Sequence, residues 1–311
     1  MESMPGARRQ LWGHLLAFFT VLVWGTTFIA SKILLEAFSP LEIMFFRLSI
    51  AVVLLFAARP HPIRPAGIRQ EGEFFLAGLF GVTLYFLCEN TALLYTYASN
   101  AGILISAAPF FTGLAVWIFL KEDRPDRSFY MGFLISMAGV VLVSCNGSIA
   151  LQLNPLGDML VLLAALCWSF YSVLLRRINR RFSNPVDCTR RIFFYALISM
   201  MPLLAAENFS PRLERFLQVK YLVSILFLGV LGSALCYVTW STASRLIGVT
   251  KTTAYIYASP AITMLASAAI LSERVTPLAV LGTFLILAGL ILSQRKTTEK
   301  RKKEDRVCTQ S

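Results

Sequence analysis

The stretch 97–122, YASNAGILISAAPFFTGLAVWIFLKE, is written twice in this chain: slid by 151 residues it falls on 248–273, GVTKTTAYIYASPAITMLASAAILSE, with Pro109 over Pro260 and Glu122 over Glu273. Over the ungapped window 78–122, thirteen of forty-five positions are identical, among them Gly78/Gly229, Gly81/Gly232, Ala92/Ala243 and Thr112/Thr263. Self-similarity of this kind marks a duplicated unit, and a duplicated unit must find a way of packing on its own copy. The repeat extends both ways. At an offset of 144, Trp24 meets Trp168 and Arg47 meets Arg191; at 150, Gly132 and Ala138-Gly139 meet Gly282 and Ala288-Gly289. The period is nearly half of the 311 residues.

The material being repeated is apolar. Of the chain, 57% is hydrophobic and 15% charged, where soluble domains carry about 25% charged residues, so the composition is that of a membrane protein. A net charge of +12 would suit nucleic acid, but the basic residues sit in short clusters between apolar runs and in the tail, which fits an inner-leaflet surface. No nucleic-acid partner is expected. Ten segments approach the roughly 20 residues needed to span hydrocarbon: 11–34, 40–58, 73–94, 98–120, 128–146, 155–177, 187–206, 220–243, 251–271 and 276–294. Trp24, matched by Trp168, marks the first as a retained helix rather than a cleaved leader.

Lys and Arg gather in alternate loops (Arg59, Arg64, Arg69; Lys121, Arg124, Arg127; Arg176, Arg177, Arg180, Arg181; Arg245, Lys251) and after the tenth segment. This puts those loops and both termini inside. Five segments per unit is an odd number, so the second copy enters the membrane in the opposite sense. The expected fold is an all-α integral membrane protein of ten transmembrane helices in two inverted five-helix repeats, an architecture of alternating-access carriers. The expected divisions are a cytoplasmic segment 1–10, a first repeat 11–146, a second repeat 155–294 and a basic cytoplasmic tail 295–311, read as lacking regular structure and touching anionic lipid.

Ten helices in two similar halves, Trp24-Gly25 in the first, Arg47 early in the second, and the Pro109-to-Glu122 and Pro260-to-Glu273 stretches together resemble the EamA-type family of the drug/metabolite transporter superfamily. The resemblance covers 11–294. It implies a carrier of the bacterial inner membrane with a cavity between helices one, three, four, six, eight and nine, and with helices five and ten peripheral. Relatives export amino acids, other metabolites or drugs, and distant branches carry nucleotide sugars or sugar phosphates.

Ionisable residues in hydrocarbon are costly and mark candidate sites. Glu89 lies five residues from the outer end of helix three, about 7 Å deep at roughly 1.5 Å per residue, and Arg47 lies at similar depth in helix two. They could form a structural ion pair, or Glu89 could carry a proton or bind a substrate amine. Lys251 could meet a substrate anion or snorkel to headgroups; Arg191, beside Arg190 and Asp187, reads as structural. Pro109 and Pro260 are either hinges or static kinks. Polar aromatics in mid-helix are Trp24, Tyr85, Trp168, Tyr171, Tyr237, Trp240, Tyr255 and Tyr257. With Thr27, Ser106 and Thr253 they could line a cavity for an amphipathic metabolite or pack as core. Tyr85 and Glu89, four apart, share a face. The glycines read as close-packing seams.

Six scattered cysteines without a CxxC pair, and only His14 and His61, leave no metal or cofactor expected. GxxxxGK[ST] does not occur, which argues against nucleotide drive on this chain. The expectation is a non-enzymatic secondary transporter exporting a small amino-acid-like metabolite, with a proton as candidate coupling ion; monomer and homodimer both stay open. The rivals are a membrane-embedded transferase or hydrolase and a non-transporting scaffold.

Overall fold

The computed structural model describes residues 6–61, 67–96, 101, 104–121, 126–145, 154–207, 209, 212–262, 265–266 and 276–308. Long apolar runs with few interior breakers fold as helices: α1 Gly6–Leu34, α2 Pro40–Ala58, α3 Ile68–Tyr95, α4 Ala108–Leu120 and α5 Arg127–Cys145 in the first half. The second half supplies α6 Pro155–Arg181, α7 Pro185–Ala206, α8 Val219–Ile247, α9 Val249–Ala254 and α10 Pro277–Cys308. Among the described residues there is no strand. Helices α1, α2, α3, α6, α7 and α8 are long and apolar enough to cross a membrane, and α4 with parts of α5 and α10 forms shorter apolar helices. The protein is an all-α integral membrane protein of ten helices in two five-helix repeats.

The boundaries have local chemical causes. A capping box starts α2, Ser39 Oγ accepting from the Glu42 amide while the Ser39 amide donates to Glu42 Oε2 at 2.7 Å, with Pro40 in the first turn. The equivalent start of α7 uses Asn184 followed by Pro185. Between α8 and α9 the chain reverses on Gly248, whose φ of +88° lies in the region that side chains disfavour. Several ends differ from expectation: α1 starts at Gly6 rather than 11 and α3 at Ile68 rather than 73, α6 and α8 run on to Arg181 and Ile247 rather than 177 and 243, and the tail beyond 294 continues α10 as helix to Cys308. Its Lys, Arg and Glu are intrinsic helix formers, and no Pro or Gly interrupts them.

Each half packs mainly on the other half. Helix α1 lies along α8 and α3 along α6; α2 meets α7 and α8, while α3 meets α7; α5 pairs with α10. The α5–α10 contact reveals the symmetry. A Cβ on Gly132 would sit 2.6 Å from the Gly289 carbonyl oxygen, and one on Gly139 would sit 2.5 Å from that of Gly282. Gly132 matches Gly282 in the repeat and Gly139 matches Gly289, so equivalent helices cross antiparallel with each glycine facing the other's partner. Antiparallel packing of equivalent helices is what an inverted repeat requires. The same reciprocity recurs inside, where Gly78 abuts the backbone of Ile192 and Ala196 in α7 while Gly229 abuts the side chain of Ile50 in α2. Without a hydrophobic force between helices in lipid, such backbone approach supplies dispersion contact.

Gly139→Ala is expected to cost about 1–3 kcal/mol through overpacking against backbone and to lower the thermal unfolding midpoint in detergent by several degrees. Gly72→Ala, where an added Cβ meets nothing within 4 Å, is the control and leaves the midpoint unchanged or raised. Differential scanning fluorimetry of the two variants checks this.

Candidate functional site

Helices α3 and α8 leave regular α geometry at matched places: Leu79–Leu84 and Phe227–Leu235 are π-helical. A π turn carries an extra residue, misaligns the carbonyls and is enriched at functional sites. Here the repeat-related carbonyls of Gly81 and Gly232 each accept from the opposite half. Trp24 Nε1 donates to Gly232 O at 2.9 Å, and the Tyr237 hydroxyl donates to Gly81 O at 2.9 Å. Neither glycine tolerates a side chain freely, since Tyr171 covers Gly81 and Thr27 covers Gly232; Thr27 and Tyr171 are themselves partners at an offset of 144.

Between these helices lies a cavity of about 550 Å³, open mouth included. Four repeat-related pairs line it: Trp24/Trp168, Phe86/Tyr237, Ile105/Ile256 and Ala108/Ser259. It therefore sits on the axis that relates the halves. The tryptophans meet edge to face with centroids 5.2 Å apart, and Trp240 closes against Trp24 at 4.9 Å. Charge enters from the first half only, as Arg47 and Glu89 line the cavity while their partners Arg191 and Trp240 do not.

Arg47 is 2% exposed and Glu89 9%. In a low-dielectric interior each must be held by specific partners. The Arg47 guanidinium lies 3.8 Å over the Phe86 ring and its Nε donates to Ser233 Oγ at 3.0 Å. Ser233 belongs to the π segment of α8, so Arg47 ties α2 to it. Glu89 Oε1 accepts from the Tyr85 hydroxyl at 3.1 Å, one turn away on the shared face. Of the two sequence readings of Arg47 and Glu89, the direct ion pair is not among the ion pairs of the described residues. Stacking on Phe86 and bonding to Ser233 turn the guanidinium elsewhere, and both groups face one cavity.

Of the residues expected to line a cavity, Trp24, Thr27, Tyr85, Glu89, Trp168 and Tyr237 do. The others lie outside that lining. Tyr171 packs against Trp168 at 4.9 Å and Trp240 behind the tryptophan pair. The Thr253 hydroxyl bonds its own helix at Val249 O, and Tyr257 packs beside Val140 and Ile286. The Tyr255 hydroxyl meets His14 Nδ1 at 2.8 Å, toward the end of the molecule where α1 begins. Ser106 is buried and Lys251 half-buried, neither in the lining. Pro109 stands in the first turn of α4 after a break at Ser106–Ala107; Pro260 follows the 3-10 turn Tyr255–Ala258 that continues from α9. These interruptions are repeat-equivalent. Glu122 and Glu273 lie outside the described residues. Among the described residues no cluster of three or more His, Cys, Asp or Glu could hold a metal.

The two ends of the molecule are tied by ion pairs with charge reversed. At the end holding the start of α3, Glu71 and Glu73 of that helix meet Arg191 at 3.2 Å and Arg181 at 2.8 Å, and the Tyr195 hydroxyl donates to Glu71. At the opposite end the α8 side is basic: Arg215 and Lys220 meet Glu42 and Glu36 at 3.2 and 2.6 Å. Arg191 and Glu71 are mostly buried, whereas Lys220 and Glu36 are half exposed.

The model of the EamA-like transporter family matches residues 11–145 and 155–294, one copy on each half. An uncharacterized transporter of Archaeoglobus fulgidus is 28% identical over 288 residues, covering 91% of this chain and 97% of its own. A "probable terminal-alkyne amino-acid exporter" of Streptantibioticus cattleyicolor is 27% identical over 286 residues, covering 91% and 93%. One solved crystal structure superposes with a TM-score of 0.67 at 19% identity over 91% of this chain and 96% of its own, a likeness of fold alone.

Breaking a mostly buried ion pair leaves a stranded charge, worth roughly 3 kcal/mol. Glu71→Gln, which removes the carboxylate paired with Arg191, is expected to lower the unfolding midpoint by several degrees, and Glu36→Gln at the exposed pair to leave it within error. Thermal unfolding in detergent at low and high salt reads the difference.

Proposed function

Because this chain belongs to the EamA-like transporter family and is a membrane transporter, we propose that it is a secondary carrier exporting a small amino acid or related amphipathic metabolite. It works by alternating access in a bacterial inner membrane, with both termini cytoplasmic. The observation that carries this reading is the cavity itself: a buried cation, a buried anion and an aromatic wall together on the pseudo-twofold axis. A zwitterion is the small molecule such a set favours. Its carboxylate satisfies Arg47, its ammonium satisfies Glu89, and its apolar group lies against Trp24, Trp168 and Phe86. The exporter name carried by the relative from Streptantibioticus cattleyicolor supports the same substrate class.

Alternating access needs a fixed site and two closures. The ion pairs at the two ends, Glu71–Arg191 and Glu42–Arg215 with their neighbours, serve as closures that open in turn. The interruptions before Pro109 and Pro260 serve as matched hinges. Glu89 serves as the proton carrier: releasing Tyr85 and taking a proton neutralises it when the substrate ammonium leaves. No chemical conversion of substrate occurs.

Counterflow of radiolabelled L-phenylalanine and L-leucine in proteoliposomes tests this. Exchange without consumption supports a carrier; product formation would make the chain a transferase or hydrolase, and neither outcome would leave a scaffold. Glu89→Gln is expected to reduce uptake driven by a pH gradient at least tenfold while exchange stays measurable. Arg47→Ala is expected to raise the half-saturation concentration for L-phenylalanine roughly 10- to 100-fold, the worth of a hydrogen bond to a charged group. Equal loss of both activities in Glu89→Gln with intact protein would refute the coupling role.

A further inference from the structure

The two central tryptophans occupy equivalent positions, yet they are not equivalently bonded. Trp24 Nε1 donates to the Gly232 carbonyl at 2.9 Å. The equivalent acceptor for Trp168 is the Gly81 carbonyl, and that oxygen is taken by the Tyr237 hydroxyl at 2.9 Å. Trp168 Nε1 is left with no hydrogen-bond partner, although the side chain is 3% exposed and lines the cavity. The cause is one atom in the sequence. The repeat partner of Tyr237 is Phe86, which has no hydroxyl, so nothing competes with Trp24 for Gly232.

An indole N–H is a donor only, and a buried donor without an acceptor is destabilising. The nitrogen is buried in this state. Resting on the reading of this cavity as the substrate site, we propose that Trp168 reads an oxygen of the substrate through its indole N–H, and that Tyr237 is the positioning residue that keeps it available by holding the Gly81 carbonyl. With Arg47 lining the same cavity, the oxygen that suits both donors is one of a carboxylate. Sequence asymmetry between the halves thereby makes a directional site out of a symmetric pair.

The test has a structural arm and a transport arm. The protein is reconstituted in lipid nanodiscs with its five tryptophans labelled at the indole nitrogen, and Trp168→Phe assigns one resonance. In the parent the Trp168 indole proton stands upfield, unbonded; in Tyr237→Phe it moves downfield as it takes the freed Gly81 carbonyl. In proteoliposomes, L-phenylalanine and phenylethylamine, which lacks the carboxylate, compete with radiolabelled L-phenylalanine. Trp168→Phe is expected to weaken L-phenylalanine about five- to tenfold and phenylethylamine less than twofold. Tyr237→Phe is expected to do the same, and the double variant to be no worse than Trp168→Phe alone, because the second residue acts through the first.

A bonded Trp168 indole in the parent, an unmoved one in Tyr237→Phe, additive losses, or equal weakening of both competitors would each overturn the proposal. A parent that exchanges L-phenylalanine while Trp168→Phe changes nothing refutes only the role of Trp168. A parent that exchanges neither probe, with the indole shift intact, refutes the amino-acid reading of the cavity and the substrate role of Trp168 together.

Discussion

Close approach of backbone to backbone between the two halves is the contact on which the rest of this structure depends. In hydrocarbon, apolar side chains gain little by meeting one another rather than lipid, so helices associate where small residues let main chains touch. Here those residues come in repeat-related sets, and each touches the other half: Gly132 and Gly139 against the α10 backbone, Gly78 against the α7 backbone, Gly229 against the Ile50 side chain of α2. A helix that packs on the opposite copy cannot form a stable unit with its own copy alone. The halves are thus interleaved, and the cavity between them is enclosed by both.

That interleaving explains where polarity can be placed. A regular helix satisfies its own carbonyls, and an apolar bilayer permits nothing else. The π segments of α3 and α8 release Gly81 and Gly232 oxygens at the one depth where donors from the facing half, Tyr237 and Trp24, can reach them. The aromatic wall is held in register by backbone acceptors as much as by ring contact. Arg47 uses the same region, its Nε on Ser233 within the α8 π segment. Pairing the halves and orienting the site are consequently one structural event.

Symmetry then sets a limit that sequence divergence overcomes. A cavity walled by identical pairs would read both ends of a ligand alike. Arg47 and Glu89 have partners, Arg191 and Trp240, that do other work: Arg191 joins Glu71 at one end of the molecule, and Trp240 backs the tryptophan pair. The reversal of charge between the two ends follows the same logic, acids on α3 facing arginines, bases on the α8 side facing glutamates. The ion pairs at the two ends also differ in burial, Glu71–Arg191 mostly buried and Glu36–Lys220 half exposed.

Much of this was legible in the chain itself. Apolar run lengths, the offsets of 144, 150 and 151, and the alternation of basic loops follow from solvent and covalent order, and they determined ten helices, two copies and their inversion. The faces shared at i and i+4 put Tyr85 with Glu89, as the hydrogen bond between them shows. Only the tertiary structure decided that Tyr171, Trp240, Thr253, Tyr255 and Tyr257 lie outside the cavity lining, that Arg47 stacks on Phe86 instead of pairing with Glu89, and that Tyr237 rather than Trp168 holds the Gly81 carbonyl. The reason is physical: helical periodicity says which residues share a face, but the rotation of each helix about its axis is set by the backbone contacts of its neighbours. A wrong rotation of a third of a turn exchanges cavity for core.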